Sequence, residues 1–586
     1  MAFLRIFVLM WADVLTTYSM FVLSTYLTDV WDLSIAHASG IVNIWFGIAL
    51  TTQSGLLHLA ETVFGHFSIL LSSSIAYCIG LGFLCMSTPP FLSNATGTCS
   101  NYKPECIGPV QKALFYTSLP LMAFGMSGHA VSIVQFLADQ YPEFNQLDYS
   151  RRPFKIVGFL GIFIGPLVGA FALPYIKPWS INFGIPAILV LVATLFFLSG
   201  SFSYKINGPQ GSPLTTVARV IVASTRNITR KLPADHTDLY EIVTRNAMYL
   251  PHTRGLRCLD KAAIQSPSQE QENYRWKICR VSEVEETKLI IRILPMLLVF
   301  IGLGIVSSIG KTYFVVQADN MNPKIGKWKV PLQVFQLIID VTTDKIFNDM
   351  VLQFKQFLKR MGLNKYALPL NVTVAVVFSV LCCITAAKVE ARRLHVIRAH
   401  DLFNNPDERI PMSMFWLVPQ YMLLAGMDSF ITSSIVVCLA PLMTTALASH
   451  FLFLTNGMFG LGYMGNVLSV YVVGKASEKN GNQNWFQHTL NRSRLDKYYW
   501  TLAALSSVSF VLLSLAAMMY PYKSTLFDDA DTGNVEEVSS CCCWERKRIV
   551  EPHRQYYEEG WYCCCFYTKH FSEVSYTRDN VILQFP

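Results

Sequence analysis

Charged residues are scarce in this sequence. Of its 586 residues, 15% are charged and 52% are hydrophobic, whereas charged residues make up about 25% of an ordinary soluble domain. The composition therefore indicates a protein that crosses a membrane many times. The net charge of +8 does not indicate nucleic-acid binding, because the basic residues lie in loops between apolar runs, where positive charge normally faces the cytoplasm.

The sequence also lacks the motifs of an enzyme. It contains no phosphate-cradling loop, no Ser/His/Asp arrangement and no regular metal-ligand spacing of Cys and His, which are the patterns that such chemistry requires. The 15 cysteines lie mostly in apolar runs or in the C-terminal tail, so they do not indicate the disulfide framework of a small secreted protein. We predict no catalytic residue, no cofactor and no metal ion.

One long polar segment, residues 203–288, interrupts the apolar sequence. Runs of about 20 apolar residues, the length that a helix needs to cross a bilayer, lie on both sides of it. Six precede the segment, at 1–27, 37–58, 68–88, 112–137, 154–176 and 182–202. Six follow it, at 289–316, 331–352, 366–387, 413–437, 446–474 and 498–520.

These runs predict an all-α membrane protein with about twelve transmembrane helices. We expect two six-helix bundles, at 1–202 and 289–520, joined by a large central cytoplasmic loop at 203–288 and followed by a Cys-rich cytoplasmic tail at 521–586. Two halves of six helices are typical of the major facilitator fold, which holds its solute near the membrane midplane between the halves. The run that begins at Val330 is the weakest, because it carries several charges.

The central segment contains one amphipathic stretch. Ser212 and Pro213 are typical of a helix start, a capping hydroxyl followed by the residue favoured in the first turn. Helical spacing places one apolar face opposite Arg219, Arg226 and Arg230, and its members are Leu214, Val217, Ala218, Ile221 and Ile228. The helix is available to lie against lipid headgroups, or it is a solvated linker.

An even number of spans places both termini on one side of the membrane, which we take as the cytosol. The loop at 89–111 is then external, and its Asn94-Ala95-Thr96 triplet and its cysteines Cys99 and Cys106 permit a glycan and a disulfide. Asn491 is the second external glycosylation candidate.

The tail contains two cysteine triplets flanked by aromatic residues. Cysteines of this kind in a reducing cytosol favour reversible palmitoylation, and metal binding is the weaker alternative because no Cys-x-x-Cys or His spacing accompanies them. The palmitoylation candidates are Cys541, Cys542, Cys543, Cys563, Cys564 and Cys565.

Several strings resemble the plant nitrate/peptide transporter family, within the proton-dependent oligopeptide transporters of the major facilitator superfamily. The resemblance covers about residues 10–522. The strings in the first half and the central segment are YLTDVW (26–31), LAETVFGHF (59–67), FLADQYPE (136–143), FGIPAILVLVATLFFLSG (183–200), GSPLTTVARV (211–220) and LRCLDKAAI (256–264). Those in the second half are VEETKLIIRILP (284–295), PMSMFWLVPQYMLLAG (411–426) and LNRSRLDKYYWTLAALS (490–506).

The sequence departs from this family where the family carries its charges. The first-helix glutamate-x-x-glutamate-arginine motif should end at Asp13, but the chain there reads LMWAD. The fourth-helix lysine falls at Ala130, beside His129. Charges that pair in the family are therefore lost together. A joint loss is physically reasonable, because a buried charge left without its partner would destabilise the protein by about 3–5 kcal/mol. The loss puts the family's route of proton coupling in doubt.

Ionisable residues inside spans are costly and are therefore candidates for function. Asp13 is a candidate proton or cation site, unless it faces water at a helix end. His129 is a candidate switch, unless it is a neutral core histidine. Lys311 is a candidate for holding an anion, unless it extends to the external surface.

Further candidates come from the second half and from the resemblance. Asp428 occupies the position of the family's tenth-helix glutamate. Possible walls of the site are Trp416, Gln420 and Tyr421, unless they only pack, and two further acids are Asp340 and Asp344. Glu61 and Gly65 match the family's loop between the second and third helices, for which the resemblance implies conformational gating.

We expect a secondary transporter that moves a small polar or anionic solute through the lipid bilayer by alternating access. A nitrate-like anion is preferred over a peptide, because a peptide carboxylate needs the lost lysine. The alternatives are a proton-coupled carrier of peptides, hormones or metabolites that uses other residues, and a non-transporting membrane sensor. The protein is expected to be multi-pass in the plasma or vacuolar membrane; its oligomeric state stays open.

Overall fold

The computed structural model describes most of the chain between residues 2 and 519 and one short stretch of the tail. The described residues are 2–141, 165–172, 176, 178–209, 211–233, 239–240, 252–253, 255–264, 276–363, 366–403, 408–436, 445–519, 549–551 and 554–556.

The first half and the central segment are helical. Their helices are α1 (Ala2–Met20), α2 (Leu23–Asp29), α3 (Ile35–Leu59), α4 (Gly65–Met86), α5 (Pro89–Thr96), α6 (Pro109–Gln140), α7 (Gly165–Ala172), α8 (Trp179–Leu198), α9 (Pro213–Arg226) and α10 (Arg257–Asp260). A single π-turn, Ala60–Phe64, joins α3 to α4.

The second half repeats this helical character. Its helices are α11 (Val281–Lys311), α12 (Tyr313–Asn320), α13 (Leu332–Arg360), α14 (Ala367–Ala399), α15 (Val418–Ser434), α16 (Thr445–Ser477) and α17 (Leu495–Met519). Short strands form three two-stranded pairs, of which β1 and β4 are parallel and the others antiparallel: β1 (Met321–Asn322), β2 (Lys324–Ile325), β3 (Trp328–Lys329), β4 (Ile410–Ser413), β5 (Ile549–Glu551) and β6 (Arg554–Tyr556).

Each of the twelve predicted spans coincides with helix in the described residues. The fifth is described only over Gly165–Ala172, and α3 and α4 form one continuous apolar segment of 52 residues. Within the part of the chain that the structure describes, seven segments are long and apolar enough to cross a membrane, namely Ala2–Asp29, Ile35–Met86, Pro109–Gln140, Trp179–Leu198, Val281–Asn320, Ala367–Ala399 and Ala446–Ser477. The run from Val330, expected to be weak, forms the 29-residue helix α13.

The first span of each half is broken at the same end. In the first half the break separates α1 from α2 at Val22, and in the second half Thr312, with φ −128° and ψ −80°, separates α11 from α12. The short helices α2 and α12 contact each other. We call this the far end of the molecule, and the opposite end, where α9 lies, the segment end. Discontinuous helices at matching positions are typical of transporters built from two related halves.

The two halves have separate hydrophobic cores. One is built mainly from α1–α4, α6 and α8, and the other from α11–α17. Two residues belong to the core of the opposite half: Tyr463 of α16 belongs to the first core, and Ile35 of α3 belongs to the second. Helices α3 and α16 thus form the seam between the halves.

Small residues let the seam helices approach closely. A Cβ added at Gly460 of α16 would lie 2.7 Å from the carbonyl oxygen of Gly47 in α3, and one at Gly47 would lie 2.9 Å from the Gly460 oxygen. Helices without side chains at the contact pack backbone to backbone, as is common in membranes. The seam is also polar, since Asn43 Nδ2 donates to Asn466 Oδ1 at 3.0 Å and Asn456 Nδ2 donates to Gln53 Oε1 at 2.9 Å.

The central segment packs as a small third core against the start of α11. Val220 and Ala223 of α9 are fully buried there, together with Ala262 and Ala263. The face of α9 that the sequence pattern identified as apolar is the opposite one: Ile221 is 45% exposed. The buried face is set by contact with the rest of the segment, which helical periodicity in α9 alone does not reveal.

A buried lysine holds this segment in place. The ammonium of Lys288 in α11 lies 2.6 Å from Asp260 Oδ1, donates to Glu285 Oε1 at 2.7 Å and donates to the Thr253 carbonyl at 2.9 Å. His252, Asp260 and Glu285 also have ligand atoms close enough together for a metal ion, but the Lys288 ammonium already contacts both carboxylates. A buried ammonium group needs several hydrogen-bond acceptors. The contacts of Lys288 therefore tie Thr253 and Asp260 to α11.

Candidate functional site

Asp428 lies where three helices of the second half meet the first half. It is partly buried on α15, and Ser307 Oγ of α11 donates to its Oδ2 at 3.2 Å. The hydroxyl of Tyr463 in α16 lies 3.5 Å from Ser307 Oγ, and the Tyr463 ring is 6.1 Å from the ring of Phe46 in α3. The carboxylate is therefore connected through two hydroxyls to the seam between the halves.

Lys311 shares a face of α11 with Ser307. Residues four apart in a helix lie one above the other, and four residues rise about 6 Å, so Lys311 lies one turn beyond Ser307 toward the far end. It is partly buried, and none of the described residues provides it with a hydrogen-bond or ion-pair partner. A cation in this setting is suited to hold an anion.

Asp13 and His129 form a buried pair in the first half. His129 Nδ1 is 2.8 Å from Asp13 Oδ1 and 3.0 Å from Oδ2, and His129 Nε2 is 2.7 Å from Ser74 Oγ. Asp13 is 6% exposed and His129 2%. The ring of Tyr77 meets the imidazole edge to face at 5.5 Å. Asp13 thus does not face water at a helix end, and His129 is bonded to a carboxylate rather than to a carbonyl.

Glycines of α6 let α4 approach this pair. A Cβ at Gly128 would collide with Ser73, and one at Gly125 would collide with Tyr77. Both contacts lie between α6 and α4, so the absence of side chains lets α4 approach until Ser74 reaches the imidazole. The pair therefore belongs to the packing of α1, α4 and α6 inside one bundle.

The candidate aromatic and amide wall residues each contact a different neighbour. Trp416 is 44% exposed in a short 3₁₀ turn, with the guanidinium of Arg392 stacked 3.9 Å from its ring centre. Gln420 is fully buried, and its Nε2 donates to Gln317 Oε1 at 3.5 Å. Tyr421 packs between the rings of Phe314 and Phe335. Shared helix membership placed these side chains together in the sequence, but they point to different neighbours.

Another buried ion pair lies in the second half and was not predicted from the sequence. Glu390 and Arg393 of α14 are bidentate, with Arg393 Nε and Nη2 donating to the two carboxylate oxygens at 2.7 Å each. Gln317 Nε2 donates to Glu390 at 2.6 Å, and Arg393 Nη1 donates to Asn491 Oδ1 at 3.1 Å. The basic run 392–398 resembles a loop in the sequence. The signal for the pair was the i, i+3 spacing of opposite charges at the end of a span.

This network corrects the second glycosylation candidate. Asn491 is 2% exposed, and its amide also donates to the Leu402 carbonyl at 3.3 Å, so its nitrogen is not available to a glycan. Asn94 is exposed at the end of α5, and the disulfide that the same loop permits is formed between Cys99 and Cys106. The side chains of Asp340 and Asp344, and the cysteines at 541–543 and 563–565, lie outside the described residues.

Glu61 and Gly65 lie at the turn between α3 and α4, at the segment end. Glu61 Oε2 is 3.2 Å from Nε2 of His450 in α16, and that nitrogen is 2.8 Å from Ser212 Oγ at the start of α9. Gly65 has φ +74°, in the region that favours glycine, and a Cβ there would lie 3.3 Å from the Asn207 carbonyl. Glu61 therefore contacts α16, and Gly65 lies against the connection that leads to α9.

A cavity of about 330 Å³ opens at the far end between α3 and α16. Its lining includes His37, Tyr313, Asn466, Lys475 and Glu478. Hydrogen bonds from Asn484 and Lys475 lower the pKa of Glu478, so this acid is ionised at neutral pH. Asn466 lies one turn of α16 beyond Tyr463, which connects the floor of the cavity to the surroundings of Asp428.

This arrangement defines a class of protein: a major facilitator transporter with its candidate site between two six-helix halves. Comparison with known proteins gives the family. A sequence model of the POT family matches residues 67–486. The chain belongs to this family, within its plant nitrate/peptide group, whose members are multi-pass membrane transporters and not enzymes.

Two relatives from Arabidopsis thaliana illustrate the match. Protein NRT1/PTR FAMILY 5.5 is 34% identical over 528 residues, which cover 88% of this chain and 96% of that protein. Protein NRT1/PTR FAMILY 5.4 is 29% identical over 538 residues, covering 87% and 92%.

Solved structures agree on the fold. The crystal structure of an auto-inhibited POT family peptide transporter matches with a TM-score of 0.61 at 18% identity, covering 89% of this chain and 97% of that one. The POT family transporter PepTSo matches with a TM-score of 0.58 at 15% identity, covering 89% and 98%. At these identities the match concerns the architecture alone.

Proposed function

We propose that this transporter carries a small anion of the size and charge of nitrate by alternating access between its two halves. Lys311 is the observation that carries the proposal. It is a partly buried cation without a partner among the described residues, one helical turn from Ser307, whose hydroxyl lies 3.5 Å from that of Tyr463. A small anion bound there would receive one charge-assisted hydrogen bond from the ammonium, and the Ser307 hydroxyl can donate to it in place of the Asp428 carboxylate.

Asp428 complements this cation. A single charge inside a bilayer is costly, so an acid in the same region keeps the empty site close to neutral. When an anion binds, its negative charge compensates part of the Lys311 charge in place of Asp428. The halves then rock about the seam of α3 and α16, whose glycine contacts between Gly47 and Gly460 allow helices to slide with little obstruction.

A peptide fits this site less well. Its carboxylate would need a cation in the first half, but Ala130 stands at the position of the family's lysine. The neighbouring His129 is already bonded to Asp13 at 2.8 Å.

We further propose that transport does not depend on the family's proton-coupling motif. A coupling group has to gain and lose its proton from opposite sides of the membrane during the cycle. Asp13 and His129 are both buried within one bundle, between α1 and α6, so rocking of the two halves leaves the pair intact. The rate of uptake should then change little with external pH.

The same pair supports one alternative. Carboxylates and imidazoles inside membrane spans are the groups that relay protons in pumps and transporters, and Ser74 extends this pair by one hydroxyl. If this unit exchanges its proton during the cycle, the chain is a proton-coupled carrier of a peptide, hormone or metabolite.

Uptake by oocytes that express the intact chain separates these functions. Labelled nitrate and a labelled dipeptide are offered at about pH 5.5 and pH 7.4, with membrane current recorded. Nitrate flux that ignores pH supports the proposal. Flux that rises in acid with inward current, and is abolished by Asp13→Asn, overturns the uncoupled mechanism. Dipeptide flux without nitrate flux overturns the choice of solute, and no flux of any solute in a wider panel favours a sensor.

A further inference from the structure

Helix α9 has two faces with different partners. Its inner face is satisfied within the protein, because Val220 and Ala223 are fully buried against the third core. Arg219 also turns inward, and its Nη2 donates to Glu283 Oε1 at 2.6 Å. These contacts fix which side of the helix faces outward.

The outer face is apolar and uncovered by the described residues. Ile221 and Val222 are each 45% exposed, and Ile228 just beyond the helix is 64% exposed. Ala218 and Leu214 lie one and two turns earlier on the same side. A soluble surface helix normally turns its apolar stripe inward, so α9 requires an apolar environment on its outer side.

Positive charge borders this apolar stripe. Arg226, Arg230 and Lys231 at its C-terminal end are exposed, and Lys205 is exposed at the start of the segment. None of the four has an acidic partner among the described residues. The sequence contains no Asp or Glu from residue 149 to residue 234. The surface is therefore complementary to an anion.

Short connections hold α9 close to the ends of the membrane-spanning helices. Pro213 follows the end of the membrane-spanning helix α8 at Leu198 by only 15 residues (213 − 198). The connection is held against the bundle, since Gln140 Nε2 donates to the Lys205 carbonyl at 2.7 Å and Lys205 N donates to Gln140 Oε1 at 2.9 Å. The amide of Gly211 donates to the Glu61 carbonyl at 2.9 Å. These bonds keep α9 at the level where the spans leave the hydrocarbon region.

We propose that the outer face of α9 is a docking surface for anionic phospholipids of the adjacent leaflet. Ile221, Val222 and Ile228 insert into the boundary between headgroups and acyl chains, and Arg226, Arg230 and Lys231 bind the headgroup phosphates. Helices with one apolar face and basic residues beside it bind membranes in this way. Anionic lipid is the favoured occupant because each basic residue near such a surface adds attraction.

The test uses the full chain reconstituted in vesicles, with Ala218→Cys on the outer face carrying an environment-sensitive fluorophore. The unsubstituted chain, labelled in parallel, corrects for native cysteines such as the exposed Cys258. We expect iodide quenching of the label to fall about fivefold when phosphatidylserine is added to phosphatidylcholine, and to recover at high salt.

Charge removal identifies the contact. The triple variant Arg226→Gln/Arg230→Gln/Lys231→Gln should lose the response to phosphatidylserine. The matched control, Lys324→Gln/Lys327→Gln/Lys329→Gln, removes the same charge from the hairpin of β2 and β3 after α12 and should keep it.

Three results would overturn the proposal. Quenching that stays high in both vesicle types means that α9 faces water. Quenching that is equally low in both means apolar docking without headgroup recognition. Protection that requires an added polyglutamate peptide instead of phosphatidylserine means that the surface binds an acidic protein.

Discussion

His129 Nδ1 lies 2.8 Å from Asp13 Oδ1, although the two residues are 116 positions apart. The resemblance to the family places both at or beside positions from which charges have been lost. One acid and one imidazole in contact thus occupy the region in which the family pairs its first and fourth helices. The contact stays within a single bundle, which is the physical basis for proposing uncoupled transport.

Removing one member of this pair should destabilise the protein. His129→Ala leaves the Asp13 carboxylate buried without its partner, for which we expect a loss of about 3–5 kcal/mol in the free energy of unfolding. The measurement is thermal unfolding of the purified chain in detergent. The paired variant Asp13→Asn/His129→Gln retains neutral hydrogen-bonding groups and should lose less. Equal losses in the single and paired variants would show that the two residues are not coupled.

Lys311 should control solute binding. Lys311→Gln removes the charge that meets the anion, and we expect nitrate uptake at low concentration to fall by about tenfold or more, the range for a hydrogen bond to a charged group. Lys311→Arg keeps the charge and should retain more uptake. Lys324→Gln, which removes an exposed lysine from β2, should leave uptake unchanged. Uptake that is insensitive to Lys311→Gln while surface expression is normal would contradict the assignment.

Neighbouring arginines provide a matched test of burial. Arg393→Met leaves Glu390 buried without its bidentate partner, so we expect a loss of about 3–5 kcal/mol and poor recovery of folded protein. Arg392→Met removes only a cation stacked on the half-exposed Trp416, with an expected loss of about 0.5–1 kcal/mol. Thermal unfolding distinguishes them, and similar effects of both would show that the Glu390 pair is not what stabilises α14.

The seam should not tolerate side chains. A methyl group at Gly460 would lie 2.7 Å from the backbone oxygen of Gly47, so Gly460→Ala must separate α16 from α3. Overpacking of this kind costs about 1–3 kcal/mol, and we expect slower uptake as well. Gly55→Ala is the control, because nothing lies within 4 Å of the added methyl and alanine favours the helix. Equal uptake by the two variants would argue against close packing at the seam.

The cysteine triplets of the tail should carry thioester-linked acyl chains. A metabolic palmitate label that hydroxylamine removes is expected on the intact chain. The label should decrease when Cys541, Cys542 and Cys543 are replaced by Ser, and decrease further when the second triplet is also replaced. A tail that never takes up the label would refute the prediction.

Much of the architecture followed from the sequence because a span is a local property. About 20 apolar residues cross a bilayer as helix whatever their neighbours are, so each of the twelve predicted runs coincides with helix in the described residues, including the weak run that became α13. The family strings were equally local, and the matching POT family model over 67–486 confirms the fold class and the transporter class.

The partners of individual side chains did not follow in the same way. Trp416, Gln420 and Tyr421 are close in sequence, yet they contact Arg392, Gln317 and two phenylalanines. Asn491 carries a glycosylation triplet but is buried by Arg393. In both cases the outcome depends on the rotation of each helix about its axis and on loops packed over it, which sequence periodicity does not specify.

The sequence by itself determined that the chain spans a membrane many times in two halves and that its coupling motif is degenerate, because hydropathy and missing charges are visible residue by residue. Only the tertiary structure decided that Asp13 meets His129, that Asp428 is linked through Ser307 to Tyr463, and that the apolar side of α9 stays uncovered. These relationships join residues far apart in the chain. They exist because glycine contacts and buried ion pairs select one arrangement of the helices.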